Sequence, residues 1–213
     1  MASITTEGLV LKRSNFGEAD RVLTVLTDRF GKISVIARGV RKITSRRAGN
    51  IEVLNRVKLH LFKAKSYTLT EAEAIDVFPI IKNNLTLSTT AFHIIELIDR
   101  LLPEEQKNPK VYELTVATLQ ILEKNPRQIF IRAFEVKLLS ILGFWGEKAI
   151  EGLTYEQQYL LENLKRSTWS QIAEMEMNES QALALEQILH GFSEKIMESP
   201  LKSADVLRDI RKK

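Results

Sequence analysis

The apolar residues of this chain change their spacing once, close to Val77. Before that point they alternate, so that Val57 and Leu59 fall on one side of an extended segment. After it they recur every three or four residues, as Phe130 and Phe134 do, which is the spacing of one helix face. A single change of period predicts a strand-rich N-terminal part followed by a helical part.

Five short strands are predicted in the first part, and turns that contain Gly or Asn separate them. The strands lie at residues 7–13, 21–27, 32–38, 53–62 and 67–74. Five strands in so short a segment predict a small β-barrel, of either the OB or the SH3-like kind. At 213 residues the chain suits one large domain or two small ones.

Helix signals dominate the second part, where we expect five to seven helices. Asn108 and Asn125 are each followed by proline, a pattern typical of an N-cap and a first helical residue. Asn178 is expected to begin a further helix, and Gly143 to end one. Ser203 is a candidate cap for a last short helix.

Basic side chains are concentrated in the strand-rich part. Between Arg29 and Thr70 there are eleven basic residues and one acidic residue, Glu52, so the segment nets +10 while the whole chain nets +4. The other residues therefore sum to about −6. Such a local excess predicts a surface that binds a polyanion, of which nucleic acid is the commonest.

The predicted contact surface centres on the segment 38–49, which begins near one glycine and ends at another. Mobile basic loops can follow a phosphate backbone without reading its sequence, although an ordinary solvated loop is the alternative. Phe62 is predicted to stack on a base, with a ring that covers a barrel end as the alternative. The predicted DNA-binding side chains are Lys32, Arg38, Arg41, Lys42, Arg46, Arg47, Arg56, Lys58 and Phe62.

Catalytic and metal-binding patterns find little support. The chain has no cysteine, and its three histidines are far apart in sequence. Gly31 and Lys32 lack the first glycine of a phosphate-binding loop. We therefore expect no catalytic residue, no metal and no cofactor, with a magnesium nuclease as the outlying alternative. Since we find neither a signal peptide nor an apolar run of membrane length, we expect a cytoplasmic, nucleoid-associated protein.

Arg127, Arg132 and Lys137 are predicted to decorate the helix that carries Phe130 and Phe134. Exposed arginines beside an apolar groove can bind an acidic peptide tail. A solvated helix face is the alternative explanation.

Residues 7–21 and 27–41 closely resemble the N-terminal domain of the bacterial recombination mediator family RecO. Residues 132–144 resemble the central helical motif of that family, and residues 200–207 resemble its C-terminal signature. The resemblance implies an α+β fold, with an OB-fold nucleic-acid-binding domain at residues 1–78 and an all-α helical domain at 79–213.

The resemblance also implies a function. It implies binding of single- and double-stranded DNA, annealing of complementary strands, and loading of RecA together with RecR. It further implies contact with the C-terminal tail of single-strand-binding protein, for which Arg127 and Arg132 are the candidates. Many members carry a four-cysteine zinc module, which here would be lost or shrunk to a helical connection at about 145–177.

Two other functions use the same features. An RNA-binding OB-fold protein would need the same positive charge. A non-catalytic protein adaptor could use the basic segment to dock an acidic partner.

Overall fold

A computed structural model describes residues 2–43, 45, 47–146, 149, 151–201 and 203. Its N-terminal part contains five strands, one at each predicted segment; three extend beyond the prediction at one or both ends, whereas β3 ends one residue earlier and β4 begins three residues later than predicted. The strands are β1 Ala2–Phe16, β2 Asp20–Thr27, β3 Gly31–Ala37, β4 Arg56–Lys63 and β5 Tyr67–Asp76.

The five strands close into a barrel in the order β1-β2-β3-β5-β4. All neighbours are antiparallel except β3 and β5. The first half of β1 pairs with β4 and its second half with β2, and a bulge between Val10 and Lys12 bends the strand between them. The predicted OB-fold barrel is confirmed.

The interior of the barrel is filled by the apolar side chains that the predicted alternation places on the inner face of each strand. Val57, Leu59 and Leu61 of β4 are fully buried and pack with Leu23 and Val35 of the neighbouring strands. Because side chains of one strand alternate between faces, every second residue points outward, and these outward residues form the candidate surface.

Seven helices follow among the described residues, in agreement with the predicted number. They are α1 Pro79–Asn83, α2 Leu85–Leu101, α3 Pro109–Lys124, α4 Gln128–Ile141, α5 Tyr155–Arg166, α6 Trp169–Glu174 and α7 Glu179–Met197. None of them is long and apolar enough to cross a membrane.

The chain divides into two compact units. The first, here called the barrel unit, comprises residues 1–79 and 95–116, and the second, the helical unit, comprises 80–94 and 117–213. The barrel unit thus includes the end of α2 and the beginning of α3. The domain boundary predicted after residue 78 stays a prediction.

Two of the three asparagine caps are confirmed. The side-chain oxygen of Asn108 accepts from the backbone N–H of Val111 at 3.2 Å, and that of Asn178 accepts from Gln181 at 2.9 Å. The cap at Asn125 is wrong, because α4 begins at Gln128 and has no side-chain cap.

Three further predictions concern the helical part after α4 begins: the end of α4, the segment 145–177 and a last short helix. Helix α4 stops two residues before Gly143, as predicted. Residues 145–177, where the zinc module of other members was expected to have shrunk, contain α5 and α6, each of which begins with a capping box. Ser203 itself is described, but the residues after it, to which the predicted last helix belongs, lie outside the described residues.

Candidate nucleic-acid interface

The connection between β3 and β4 closes the barrel where its strands pair least. β3 and β5 share only two residue pairs. The guanidinium of Arg47 donates to the carbonyl oxygens of Leu69 and Thr70, both at 3.2 Å, and to that of Arg38 at 2.9 Å. Asn50 donates to a further β5 carbonyl at 2.7 Å. Arg47 therefore ties the loop to the sheet, in place of strand pairing.

This contact makes Arg47 primarily important for stability. We expect Arg47→Ala to lower the free energy of unfolding by about 2 kcal/mol, because three carbonyls lose a charged donor. Urea unfolding measures the change. Lys42→Ala on the same loop is the matched control and should stay within about 0.5 kcal/mol of the unaltered chain. Equal losses for both variants would contradict the role given to Arg47.

The first part of the loop is held against the turn between β1 and β2. The backbone N–H of Arg41 donates to the carbonyl of Ala19 at 2.9 Å, and its guanidinium to that of Gly17 at 3.0 Å. The N–H of Gly39 donates to the carboxylate of Asp20 at 2.7 Å. These contacts bring the exposed cations of the loop to the β1–β2 end of the barrel.

Strand register adds Lys12 and Phe16 to the same side. Lys12 lies opposite Thr24, which lies opposite Ser34, and Phe16 lies opposite Asp20. Lys12 is exposed, and the ring of Phe16 is 57% exposed. Lys12, Phe16, Arg38, Arg41 and Lys42 are together called the basic face.

The basic face adjoins one of the regions that OB folds use for ligands, the loop between strands 1 and 2. Oligonucleotides bind OB barrels on the faces of strands 2 and 3 and on the loops that join strands 1–2 and 4–5. Nearby acids are in part neutralised, since Glu52 forms an ion pair with Arg13 and lies 3.8 Å from Arg21. Glu18 is the exposed carboxylate of the adjoining turn. Among the described residues, no carboxylate forms an ion pair with Lys12, Arg38, Arg41 or Lys42.

Arg56 and Lys58, which were predicted to contact DNA, lie on the outer face of β4 among acidic side chains. Arg56 forms ion pairs with Glu7 at 2.6 Å and Asp76 at 3.0 Å, and Lys58 lies in register between Glu7 and Glu73. Burial alone would lower the pKa of Arg56, but its hydrogen bonds to Glu7, Tyr112 and Asp76 raise it above the ordinary value.

Three of the acids on this face follow the basic stretch in the sequence, and the fourth, Glu7, precedes it. Glu71, Glu73 and Asp76 lie on β5, and Glu7 lies on β1, so four carboxylates surround two cations. The local charge of the β4 face is therefore −2 rather than positive.

Two other predicted DNA-binding residues, Lys32 and Phe62, are also placed differently. Lys32 is 7% exposed, and its ammonium contacts the carbonyl and the carboxylate of Asp99. Phe62 is 36% exposed and lies on the β4 face, between Ser3 and Thr68. Arg46 lies outside the described residues.

The structure thus brings together Arg38, Arg41 and Lys42 of the predicted set. The DNA-binding roles of all nine residues stay predictions. Lys12 and Phe16 were not in that set. The alternation of Lys12, Ser14 and Phe16 on one strand face was the signal for them in the sequence.

In the helical unit, Arg132 was expected to be exposed, and this is wrong. It is 3% exposed and forms ion pairs with Glu135 at 2.8 Å and Glu186 at 3.6 Å. Burial would raise the pKa of Glu135, but the charge of Arg132 and the hydrogen bond with His93 lower it below its ordinary value. Arg132 is therefore placed as the counter-ion of a buried carboxylate.

The charged groups of Arg127 and Lys137 donate their hydrogen bonds to backbone carbonyls. The guanidinium of Arg127 donates to the carbonyls of Ala173 and, at 2.7 Å, Met175. The ammonium of Lys137 donates to the carbonyls of Lys165 and Ser167, at 2.8 and 2.7 Å, where α5 ends. Burial lowers the pKa of Lys137. Both side chains hold the helical unit together, and their placement gives no support to a peptide-binding role.

A chain of hydrogen bonds in the helical unit resembles a hydrolytic triad, because it joins a hydroxyl, an imidazole and a carboxylate in that order: Ser203, His93 and Glu135. The hydroxyl of Ser203 is 3.0 Å from one ring nitrogen of His93, and Glu135 is 2.7 Å from the other. All three side chains are buried, so no substrate carbonyl can reach the hydroxyl in this arrangement. The arrangement instead joins the chain around Ser203 to α2 and α4.

Metal binding also lacks a site in the part of the chain that the structure describes. No group of three or more His, Cys, Asp or Glu side chains there could hold a metal ion.

Comparison with known proteins identifies both parts of the chain. The N-terminal model of recombination protein O matches residues 1–78, and its C-terminal model matches residues 82–145. The DNA repair protein RecO of Acetivibrio thermocellus is 31% identical over 226 residues, which cover 94% of this chain and 87% of that protein.

Two further relatives match a shorter part. The DNA repair protein RecO of Symbiobacterium thermophilum is 34% identical, over 68% of this chain and 58% of that protein. The protein of that name from Roseiflexus is 36% identical, over 65% and 50%. These two matches span about half the length of the relatives. Two family models that together cover most of the chain, in the order of the two predicted domains, show that this chain belongs to the RecO family.

Proposed function

We propose that this protein binds single- and double-stranded DNA and acts as a mediator of DNA repair and recombination. The observation that carries the proposal is the basic face, where Arg38, Arg41 and Lys42 lie without ion-pair partners among the described residues, beside the exposed ring of Phe16. Relatives named DNA repair proteins support the choice of DNA over RNA.

The physical role of the basic face is to neutralise phosphates. Cations that replace the counterions of a strand release those ions into solution, which drives binding without reading the base sequence. Two strands held in this way repel each other less, so complementary bases can meet. Base pairing itself then supplies the driving force for annealing, and no nucleotide hydrolysis is required.

Phe16 is the candidate stacking platform for an unpaired base. Its ring lies at the end of β1, next to the turn on which Arg41 is anchored. Stacking on an aromatic ring tolerates every base, because each base has a π-face. Phe62, the ring favoured by the sequence, is less exposed and lies on the β4 face, whose carboxylates would repel a phosphate chain.

The partner proteins of this function follow from the family. The proposed mediator is not an enzyme; it works with RecR to load RecA on DNA coated by single-strand-binding protein, and it contacts the C-terminal tail of that protein. Arg127 and Arg132 remain predicted contacts for the tail, although their present hydrogen bonds and ion pairs would have to break.

Removal of the three loop cations tests the DNA interface. We expect Arg38→Ala, Arg41→Ala and Lys42→Ala together to lower single-strand affinity about a hundredfold at about 0.1 M salt, since each phosphate contact contributes about fivefold there. The slope of log K against log salt should change from about −2.8, for four cations that include Lys12, to about −0.7. Fluorescence anisotropy with labelled oligonucleotides at several salt concentrations measures both quantities.

Lys58→Ala is the matched control, because it removes an exposed cation from the neutralised β4 face. Its affinity and salt slope should stay near those of the unaltered chain. Equal weakening by Lys58→Ala would contradict the basic face as the contact. Preference for RNA in direct competition would favour the RNA-binding alternative, and weak binding to every oligonucleotide would favour an adaptor.

A further inference from the structure

One apolar side chain protrudes from the loop that carries the basic face. Ile43 is fully exposed, and no other large apolar residue in the described part of the chain is as exposed. It directly follows Arg41 and Lys42, both exposed cations. A single exposed apolar residue needs no explanation by itself, but its position beside a phosphate-binding surface suggests contact with the apolar interior of a nucleic acid.

The backbone around Ile43 is held in a defined turn. The N–H of Lys42 donates to the carbonyl of Gly39 at 3.2 Å, and the N–H of Ser45 donates to the carbonyl of Lys42 at 2.9 Å. Arg41, two residues before Ile43, is itself hydrogen-bonded to the β1–β2 turn through its backbone N–H and its guanidinium. Isoleucine is also stiff at its first side-chain torsion, because it is β-branched. Little conformational entropy is therefore lost when this side chain is inserted elsewhere.

The shape of Ile43 distinguishes its ligand from that of Phe16. Isoleucine has no flat π-face, so it cannot replace a stacked base as a ring does. Branched apolar side chains instead act as wedges that separate neighbouring base pairs and kink a duplex. We propose that Ile43 inserts between adjacent base pairs of duplex DNA while Arg41 and Lys42 hold the flanking phosphates. This inference rests on the proposed DNA-binding function.

If Ile43 acts as a wedge, the affinity for a duplex should depend on how easily the base-pair step at the insertion point is unstacked. Pyrimidine–purine steps such as TA unstack easily, whereas A-tracts are stiff. The protein should therefore bind a duplex with central TA steps more tightly than an A-tract duplex of equal length. Single-stranded DNA has no paired step to separate, so its affinity should not depend on Ile43.

The test uses the full chain and a duplex with 2-aminopurine at a central TA step, whose fluorescence rises when the base is unstacked. We expect the unaltered chain to raise the fluorescence. Ile43→Ser should abolish the rise and weaken duplex binding about fivefold, because the apolar contact is lost. Ile43→Leu should keep the rise, and both variants should bind single-stranded DNA within about twofold of the unaltered chain.

Leu85→Ser is the control, because it removes an exposed apolar side chain from the helical unit and should change neither quantity. An unaltered rise and duplex affinity with Ile43→Ser would overturn the wedge but leave DNA binding by the basic face intact. Absence of binding to any DNA by the unaltered chain would overturn both the wedge and the proposed function.

Discussion

Replacement of Arg132 by methionine should lower the free energy of unfolding by about 3–5 kcal/mol, because it leaves a buried carboxylate without its counter-ion. Glu135 is 1% exposed, and Arg132 is in ion-pair contact with it at 2.8 Å. Methionine keeps much of the side-chain volume, so loss of charge rather than loss of packing is tested. Urea unfolding at neutral pH, followed by circular dichroism of the helical unit, measures the change.

The pH dependence distinguishes an electrostatic cause from a packing defect. The pKa of Glu135 in the folded protein lies below its ordinary value of 4.5, so its contribution to stability is present above that pH and is lost as the pH falls through the lowered pKa. The difference in stability between the unaltered chain and Arg132→Met should therefore shrink below pH 4.5. A difference that stays constant with pH would indicate a packing defect.

Two further variants complete this test. Arg166→Met removes a largely exposed arginine that is also paired with a glutamate, and it should cost no more than about 1 kcal/mol. A second substitution, Glu135→Gln, should restore part of the stability lost in Arg132→Met, because a neutral amide needs no counter-ion. Equal costs for Arg132→Met and Arg166→Met would show that the buried pair has no special weight.

Gly31→Ala should be the most damaging small substitution in the barrel unit, with a loss of about 3 kcal/mol or more. Gly31 has a φ of +71°, and a Cβ there would lie 2.1 Å from the carbonyl oxygen of Gln106. The neighbouring chain cannot move away freely, because the N–H of Glu105 donates to the carbonyl of Lys32 at 2.8 Å. Thermal unfolding and the yield of folded protein report the loss.

Gly17→Ala separates the two causes of that loss. Gly17 also has a positive φ, +57°, but a Cβ there would meet nothing within 4 Å. Its substitution should therefore cost only the strain of a left-handed alanine, about 1–2 kcal/mol. If the two alanine variants are equally stable, the contact between Gly31 and Gln106 does not constrain the barrel.

Local patterns in the sequence were sufficient to predict most strands and helices of this fold. The alternation around Val57 predicted the buried side of β4, and Asn178 predicted the beginning of α7, because each depends on residues only a few positions apart. The cap at Asn125 failed since the backbone N–H of Arg127 turns to the carbonyl of Asn125 and the helix begins later. Local signals mark a helix end well only when the backbone after the cap residue is helical from its first residue.

The candidate site could be predicted only in part. The loop cations Arg38, Arg41 and Lys42 were expected to be accessible, and they are. Arg56 was misplaced because Glu7, which neutralises it, lies about 50 positions away in the chain. Arg132 was misplaced because the burial of its pair with Glu135 depends on how the helices pack and not on the spacing of the two residues. A window of sequence counts charges, but it does not show which of them meet.

Sequence alone determined that a strand-rich barrel precedes a helical part, and that the positive charge belongs to the barrel. Only the tertiary structure decided which cations remain available, because barrel closure sets β4 between the acids of β1 and β5 and leaves the loop after β3 beside Phe16. Periodicity is a property of neighbouring residues, whereas neutralisation of a charge depends on distance in space.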